Sequence, residues 1–215
     1  MKIAVVAGTP VDTQMGVDYL NRKNPAIETI FLPMGSCPRE TYTFQMSDHD
    51  TKIRETEKLF LPLLEQGVEA FYVYCNSLGA MVDYDTVAAK HNIKIITTRN
   101  AYRKLAGLYS NVGVIAANNH TTEWIETIFT SVNPDCYVCG TGFLKLVEAV
   151  ETKIDPSELV REFRLADLCR VYEAAGCQAV ALGCTHFPYF KEKLRSVTTL
   201  PVFDPADLMY EELMA

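Results

Sequence analysis

The sequence predicts an α/β protein whose strands are mainly parallel, with helices on both faces of the sheet. Short runs rich in β-branched and aromatic residues alternate with longer helical patterns along the 215 residues, as expected for right-handed βαβ units. The composition, with 48% hydrophobic and 22% charged residues, excludes a disordered or low-complexity chain. No segment rich in Pro, Gly or Ser marks a domain boundary.

Each predicted element follows from a local pattern of residues. We predict strands at residues 2–7, 28–32, 70–74, 93–97, 111–116, 135–138, 179–182 and 201–203. The main predicted helices are at residues 13–22, at residues 50–66, after Gly79, and at residues 157–175 behind an Asp155-Pro156 start. Reactive groups in such a sheet lie in the loops at the carboxyl ends of the strands.

The region between the second and third strands carries the clearest boundary signals. Asp48 or Asp50 is the predicted N-cap of the helix at residues 50–66, and Gly67 should end it. Pro62 lies inside that helix and should kink or shorten it. Residues 33–48, which contain several hydroxyl side chains, are predicted to form a long loop.

The charge balance argues against a nucleic-acid partner. The chain carries 27 Asp and Glu against 20 Lys and Arg, for a net charge of −7. Nucleic-acid-binding proteins normally carry a basic stripe. The densest basic cluster here is a helix end with Arg99, Arg103 and Lys104. We therefore expect no nucleic acid to bind.

The length of the apolar runs and the number of cysteines indicate the cellular compartment of the protein. The first apolar run, residues 3–7, is short, and no later run reaches the length of about 18 apolar residues that suggests a membrane span. We expect a cytoplasmic protein with no membrane partner. Its seven cysteines, an odd number, should then be reduced thiols.

One internal repeat bears directly on function. Residues 67–77 and 176–186, which lie 109 residues apart, share a glycine, an alanine three residues later, four strand residues, a cysteine and two polar residues. The two cysteines are Cys75 and Cys184. The repeat predicts two similar lobes, each with a thiol at the end of a strand.

Two such lobes, related by a pseudo-twofold axis, would place one thiol on each side of a ligand in the cleft between them. One thiolate would take a proton from a carbon acid while the opposite thiol delivers one to the other face, which is two-base racemisation or epimerisation. Helix N-termini near a strand end favour the thiolate. His186 could hold the proton beside Cys184. Asn76, Ser77 and Thr185 offer hydrogen bonds to a carboxylate or an ammonium group.

These motifs resemble those of the aspartate/glutamate racemase superfamily, which works without pyridoxal phosphate. Cys75-Asn76-Ser77 is similar to the family's Cys-Asn-Thr motif. Residues 182–188, Leu-Gly-Cys-Thr-His-Phe-Pro, resemble the Leu-Gly-Cys-Thr-His-Tyr-Pro motif of glutamate racemases. Residues 33–35, Pro-Met-Gly, resemble the family's Pro-Tyr-Gly substrate loop, and residues 144–148 lie where the family has a Val-Glu segment.

The resemblance implies a cofactor-independent amino-acid racemase, commonly dimeric, that interconverts L- and D-enantiomers of aspartate or glutamate. It implies two flavodoxin-like lobes, residues 1–98 with 204–215 and residues 99–203, with the active site in the cleft between them. Cys75 and Cys184 would be the catalytic acid–bases, with His186 supporting Cys184. The candidate substrate-binding residues are Gly8, Thr9, Pro33, Met34, Gly35, Asn76, Ser77, Asn119, Thr121 and Thr185. Neither a metal nor another cofactor is implied.

Two departures from the family pattern leave the substrate open. Glutamate racemases carry Asp-Ser-Gly after the first strand, where the Asp supports the first cysteine. This chain has Ala7-Gly8-Thr9 there, nearer to the glycines of the aspartate-type relatives. The family's threonine in the loop after the fifth strand falls near His120 or Thr121. Glutamate, aspartate or another amino acid stays possible as substrate.

Other interpretations stay open. The chain could be a superfamily relative with different chemistry, a diacid cis–trans isomerase or a decarboxylase, although such decarboxylases need only one cysteine. It could also be a catalytically silent member that binds a small molecule or senses oxidants through its thiols. Cys136 and Cys139 form a Cys-x-x-Cys pair, but no second pair lies at zinc-ligand spacing. Core packing is the simpler explanation for them.

Overall fold

The computed structural model describes residues 1–215 and contains two compact units, Met1–Thr98 with Met209–Ala215, and Arg99–Leu208. The strands of the first unit are β1 (Lys2–Ala7), β2 (Glu28–Pro33), β3 (Ala70–Val73) and β4 (Lys94–Ile96). Those of the second are β5 (Asn111–Ala116), β6 (Tyr137–Gly142), β7 (Ala179–Gly183) and β8 (Val202–Phe203). All pairings are parallel, in the orders β2-β1-β3-β4 and β6-β5-β7-β8. The predicted α/β fold is confirmed.

Helices connect the strands in both units. The first unit contains α1 (Pro10–Lys23), α2 (Pro38–Gln45), α3 (His49–Glu65), α4 (Asn76–Met81) and α5 (Tyr84–His91). The second contains α6 (Arg99–Ala106), α7 (Asn119–Val132), α8 (Leu144–Glu151), α9 (Pro156–Glu162), α10 (Leu165–Ala174), a 3-10 turn (Phe187–Phe190) and α11 (Lys191–Arg195). The last helix, α12 (Ala206–Met214), begins in the second unit and ends in the first. None of these helices is both long enough and apolar enough to cross a membrane.

The inner strands carry the core of each unit. Every residue of β3 and β7 is buried, and so are all residues of β1 and β5 except the first. Near-continuous apolar strands of this kind are typical of parallel sheets that are covered on both faces. The outer strands β2 and β6 are only partly buried.

The 109-residue repeat extends well beyond the segments that predicted it. The strands β1 and β5, the helices α1 and α7, and the strands β2 and β6 each begin and end 109 residues apart. Both helices that precede the cysteine-bearing strands end at a glycine with left-handed backbone, Gly67 (φ 84°) and Gly176 (φ 79°). Glycine adopts this conformation without a steric penalty. Gly67 therefore ends α3 as predicted.

The prediction of a continuous loop over residues 33–48 was wrong, because α2 lies within it. Pro38 occupies the first turn of the helix, where its fixed φ is favourable. Thr41 and Gln45, four residues apart on one face, are buried. The polar composition of this segment hid a helix whose buried face is itself polar.

The predicted single helix over residues 157–175 is two helices, α9 and α10. Arg164 lies between them with a left-handed φ of 53°, which interrupts the helical backbone. Its guanidinium contacts the carboxylate of Asp167, one turn later. The apolar periodicity continues across this break, so that the sequence pattern alone does not reveal it.

The strand predicted at residues 135–138 was misplaced, since β6 starts two residues later and runs to Gly142. Gly140 and Gly142, beyond the predicted end, both lie within the strand. A Cβ at Gly140 would approach Thr122 Cβ to 2.8 Å, and one at Gly142 would approach the Asn118 carbonyl carbon to 2.6 Å. Here glycine permits close packing against the start of α7.

One helix boundary next to the first cysteine also differs from prediction. The helix expected after Gly79 begins at Asn76, directly after Cys75. Pro62 does not shorten α3, which continues to Glu65.

Candidate active site

Both candidate catalytic cysteines follow the third strand of their sheet, at its carboxyl edge. Cys75 is the N-cap residue of α4, with extended backbone, and its side chain makes no cap hydrogen bond. Cys184 follows β7 and precedes the 3-10 turn. Both are buried, with exposures of 4% and 6%.

In the first unit, polar side chains form a chain that leads to Cys75. The Sγ atom of Cys75 lies 3.4 Å from the Oγ atom of Ser77. The Nε2 amide of Gln45, at the end of α2, donates to the same Oγ over 2.7 Å. All three side chains are buried. Gln45 was not among the predicted site residues, because its helix was taken for a loop.

The predicted residues of the first two loops lie together at the same edge of this sheet. Pro33 pairs in register with Ala7, and the Met34 N–H donates to the Ala7 carbonyl over 2.9 Å. The Gly35 N–H donates to the Gly8 carbonyl over 3.0 Å. The Thr41 hydroxyl donates to this carbonyl too.

Glycine is required at two positions of these loops by close packing against α2. A Cβ at Gly8 would lie 2.9 Å from Thr41 Cγ2, and one at Gly35 would lie 2.8 Å from Thr41 Oγ1. Both distances are shorter than side chains normally tolerate. The loops therefore form one compact structure around Thr41.

A buried carboxylate, Asp12, also lies in this region, and the sequence reading missed it. Asp12 accepts hydrogen bonds from the Gly8 N–H (3.2 Å), the Thr9 N–H (2.7 Å) and the Thr9 hydroxyl (3.0 Å). Thr9 caps α1, and the two residues form a capping box. The Thr-x-x-Asp spacing was the available signal. No carboxylate follows β1 directly, but one lies a helical turn later.

In the second unit, a thiol, an imidazole and a carboxylate lie in sequence. Cys184 Sγ lies 3.6 Å from His186 Nδ1, and His186 Nε2 donates to Glu151 Oε1 over 2.9 Å. His186 is buried. Because the carboxylate can only accept, Nε2 of the neutral imidazole carries the proton, and Nδ1, which faces the thiol, is the basic nitrogen. The imidazole can then accept the thiol proton, and the resulting cation is held by Glu151.

Glu151, like Gln45 and Asp12, was not among the predicted site residues. The family's Val-Glu segment was placed at residues 144–148, whose glutamate, Glu148, instead forms an ion pair with Lys145 over 2.9 Å. Glu151 lies three residues later, at the end of α8. The approach of Glu151 to His186 depends on tertiary structure across 35 residues.

Among the buried hydroxyl groups without a hydrogen-bond partner are that of Tyr84 in the first unit and that of Thr185 in the second. Thr185 adjoins Cys184 in sequence. Burial raises the pKa of Tyr84, and the charge of Cys75 raises it further. The Tyr84 hydroxyl therefore stays protonated and can donate a hydrogen bond.

The predicted residues near the start of α7 have different environments. Thr121 is fully buried, and its N–H and hydroxyl donate to Asn118 Oδ1 over 3.0 and 3.1 Å. Asn119 and His120 are exposed in the first turn of α7. Thr121 thus serves the helix cap, whereas Asn119 is accessible.

Three of the other five thiols are held in their neutral form by burial. Burial raises the pKa of Cys136 and of Cys169, and it raises the pKa of Cys177 to about 11. Such thiols stay protonated and unreactive near neutral pH. No group of three or more His, Cys, Asp or Glu side chains could hold a metal ion.

Comparison with known proteins gives consistent matches along the chain. The family model described as Asp/Glu/Hydantoin racemase matches residues 27–213. A glutamate racemase of Clostridium botulinum is 32% identical over 149 residues, which cover 66% of this chain and 57% of that relative. The chain therefore spans a little over half the length of this curated relative.

Solved structures share the fold. The crystal structure of glutamate racemase from Francisella tularensis in complex with D-glutamate has a TM-score of 0.77 at 22% identity, covering 99% of this chain and 79% of that chain. Allantoin racemase from Klebsiella pneumoniae has a TM-score of 0.65 at 16% identity, covering 100% and 88%. At these identities the likeness concerns the fold.

Proposed function

The chain belongs to the Asp/Glu/Hydantoin racemase family, and from this premise we propose that it is a cofactor-independent amino-acid racemase. One observation carries the proposal. At equivalent positions 109 residues apart, each unit has a buried thiol at a strand end with a buried polar partner, Ser77 beside Cys75 and His186 beside Cys184. A matched pair of proton-transfer groups is what inversion at a carbon requires.

In the proposed reaction, the thiolate of one cysteine removes the proton from the α-carbon of the amino acid. The electron pair of the broken C–H bond stays on the substrate as a carbanion delocalised into its carboxylate. The thiol of the other cysteine then delivers its proton to the opposite face. Cys75 and Cys184 exchange protonation states in each turnover, and the reverse direction uses them in the opposite order.

The relay in the second unit supports this role for Cys184. His186 Nδ1 accepts the thiol proton and generates the thiolate, while the Glu151 carboxylate stabilises the imidazolium. When Cys184 has to act as the acid, the proton returns to sulfur. His186 and Glu151 act through Cys184 and need no contact with the substrate.

For the substrate, we propose an amino acid with an acidic side chain, with glutamate and aspartate tested first. The relative from Clostridium botulinum is named a glutamate racemase, and the Francisella tularensis enzyme was crystallised with D-glutamate. The unpartnered hydroxyl groups of Thr185 and Tyr84 would donate to substrate oxygen atoms. We assign binding roles also to Asn76, Ser77 and Asn119, and to the Gly8–Thr9 and Pro33–Gly35 loops. Thr121 would contribute indirectly, by holding the cap of α7 beside Asn119.

Location and assembly belong to the same proposal. We propose a cytoplasmic homodimer that binds neither nucleic acid nor membrane, in keeping with the family resemblance and the net charge of −7. Light scattering of the purified protein at several concentrations tests the assembly. A mass near 24.1 kDa, that of one chain, would contradict the dimer.

Proton NMR in deuterium oxide tests the activity. Loss of the α-proton signal from L- or D-glutamate or aspartate, with the opposite enantiomer found by chiral chromatography, is the expected result. Cys75→Ser and Cys184→Ser should each lower the racemisation rate by about 10²–10⁴-fold. Cys139→Ser, which changes a thiol of β6, is the matched control and should retain the rate. Full activity in either of the first two variants would overturn the two-base mechanism.

A further inference from the structure

The two cysteines have unlike relays built at matching positions. Ser77 and His186 each lie two residues after their cysteine. Ser77 is hydrogen-bonded to Gln45 in the first unit, and His186 is hydrogen-bonded to Glu151 in the second. Each is the last residue of the helix that follows the outer strand of its sheet, α2 after β2 and α8 after β6. The last residue of the equivalent helix is therefore an amide in the first unit and a carboxylate in the second.

We propose that Gln45 is a positioning residue that acts through Ser77 to favour the thiolate form of Cys75. The thiolate of Cys75 is then stabilised by a hydrogen bond, whereas the thiolate of Cys184 forms by proton transfer to His186. This inference rests on the proposed function because it takes Cys75 as an acid–base. It goes further by assigning a role to Gln45 and by stating that Gln45 favours ionisation of Cys75.

The hydrogen-bonding groups determine whether the relay favours the thiolate or the thiol form of Cys75. The Nε2 atom of Gln45 can only donate, and it donates to Ser77 Oγ over 2.7 Å. The hydroxyl proton of Ser77 is then directed elsewhere, and Cys75 Sγ lies 3.4 Å away. A thiolate accepts this proton as a hydrogen bond, whereas a neutral thiol is a weak acceptor. The relay therefore stabilises the thiolate without taking a proton.

The relay in the other unit works in the opposite way. The carboxylate of Glu151 can only accept, so His186 donates to it and turns a basic nitrogen towards Cys184. That nitrogen takes up the thiol proton and stores it. One relay thus solvates a thiolate and the other holds a proton, which suits two groups that must carry opposite protonation states.

The surroundings of Gln45 favour a positioning role over a packing role. Gln45 is 3% exposed, and its Oε1 atom is buried without a hydrogen-bond partner. A buried amide with one unsatisfied atom is costly. A residue used only for packing at this position would be better apolar. The amide of Gln45 contacts Ser77, and Ser77 contacts Cys75.

Carbon-13 NMR of the protein labelled with [3-¹³C]cysteine tests this proposal, since the Cβ shift of Cys75 reports ionisation of its sulfur directly. Comparison with Cys75→Ser assigns the signal. Gln45→Glu reverses the relay, because the carboxylate would accept the Ser77 proton and add a negative charge. The midpoint of the thiol-to-thiolate titration should rise by about one pH unit or more. Gln45→Met, which only removes the donor, should give a smaller rise.

Thr43→Glu is the matched control, because it adds the same charge at an exposed position of the same helix. It should move the midpoint by less than about 0.3 units, since exposed charges are screened. An unchanged midpoint in folded Gln45→Glu protein overturns the proposal. If that variant fails to fold, Ser77→Ala replaces it. Loss of the hydroxyl donor should again raise the midpoint, and an unchanged midpoint would be equally decisive.

The NMR readout separates this inference from the proposed function. Ionisation of Cys75 is measured whether or not the protein racemises any amino acid. If the wild-type protein exchanges no α-proton but the midpoint shifts as expected, the relay stands and the proposed activity fails. If the wild-type protein racemises its substrate but the midpoint is insensitive to Gln45, the activity stands and the relay fails.

Discussion

Replacing Glu151 by glutamine keeps the size of the side chain at the end of α8 and removes its charge. The Glu151 carboxylate accepts a hydrogen bond from His186 Nε2 over 2.9 Å, and the exposures of the two side chains are 16% and 4%. An amide oxygen can still accept this bond. What is lost is the electrostatic stabilisation of the imidazolium that forms when Cys184 gives up its proton.

The size of the loss follows from the type of hydrogen bond. A bond to a charged group contributes about 1.5–3 kcal/mol, and a neutral one contributes about 0.5–1.5 kcal/mol. The difference is about 1–2 kcal/mol. Since 1.36 kcal/mol corresponds to a tenfold change in rate, kcat should fall roughly 5- to 30-fold. Solvent screening is small for this pair because both groups are largely buried.

The assay is the initial rate of racemisation of each enantiomer, followed by circular dichroism or chiral chromatography. Glu148→Gln is the matched control, because it removes a charge from the same helix where Glu148 forms an ion pair with Lys145. A pair of this kind, with Lys145 exposed, contributes about 0–1 kcal/mol, and its loss should change kcat less than threefold.

Two results would refute this reasoning about Glu151. One is a kcat for Glu151→Gln within twofold of wild type. The other is an equal loss in Glu148→Gln. Because the two enantiomers have equal free energies in water, kcat/KM must fall by the same factor in both directions, and unequal factors would indicate a faulty assay.

Three further predictions concern the second unit. Tyr172→Phe removes the hydroxyl that donates to the Val114 carbonyl over 3.0 Å and should lower the free energy of unfolding by about 1–3 kcal/mol in urea. Gly113→Ala places a Cβ 2.4 Å from Tyr172 Cδ2 and should cost about 1–3 kcal/mol by overpacking. Hydrogen bonds from Thr199 lower the pKa of Glu173. Its contribution to stability is therefore present above the unfolded-state pKa and is lost as pH falls through the folded-state pKa, so Glu173→Gln should flatten the stability profile below about pH 5.

The predictions for Gly113 and Glu173 each have a control within the same chain. Gly107→Ala meets no atom closer than 3.4 Å and should cost less than about 0.5 kcal/mol, so equal losses at Gly107 and Gly113 would contradict the packing argument. Glu123→Gln, at an exposed position of α7, should leave the acid profile unchanged. The same flattening there would show that the hydrogen bonds of Glu173 are irrelevant.

Local patterns predicted most of the strands and the position of each cysteine after its strand. β1 and β5 have the predicted bounds, because a buried parallel strand is a short apolar run ended by loop residues. The repeat gave Cys75 and Cys184 equivalent positions because a duplicated strand, turn and helix keeps its residue spacing. These properties depend on neighbours in sequence and can be recognised without tertiary contacts.

The partners of Ser77 and His186 could not be predicted in the same way. Gln45 lies 32 residues from Ser77, and Glu151 lies 35 residues from His186. Only the folded sheet brings these pairs together. In addition, the buried face of α2 is polar, so this helix lacks the apolar periodicity by which helices are identified in a sequence. Asp12 was a different failure, because its capping-box spacing was visible in sequence and its burial was not.

Isotope analysis of the first few per cent of turnover in deuterium oxide tests two-base proton transfer most directly. Starting from one enantiomer of the substrate, the product should carry solvent deuterium at its α-carbon while the remaining substrate keeps its proton. This is expected because a different thiol, already exchanged with solvent, protonates each face. Deuterium appearing equally in recovered substrate and product would contradict two-base transfer and indicate a single base. Absence of any exchange across glutamate, aspartate and a wider panel of amino acids would contradict the proposed racemase activity.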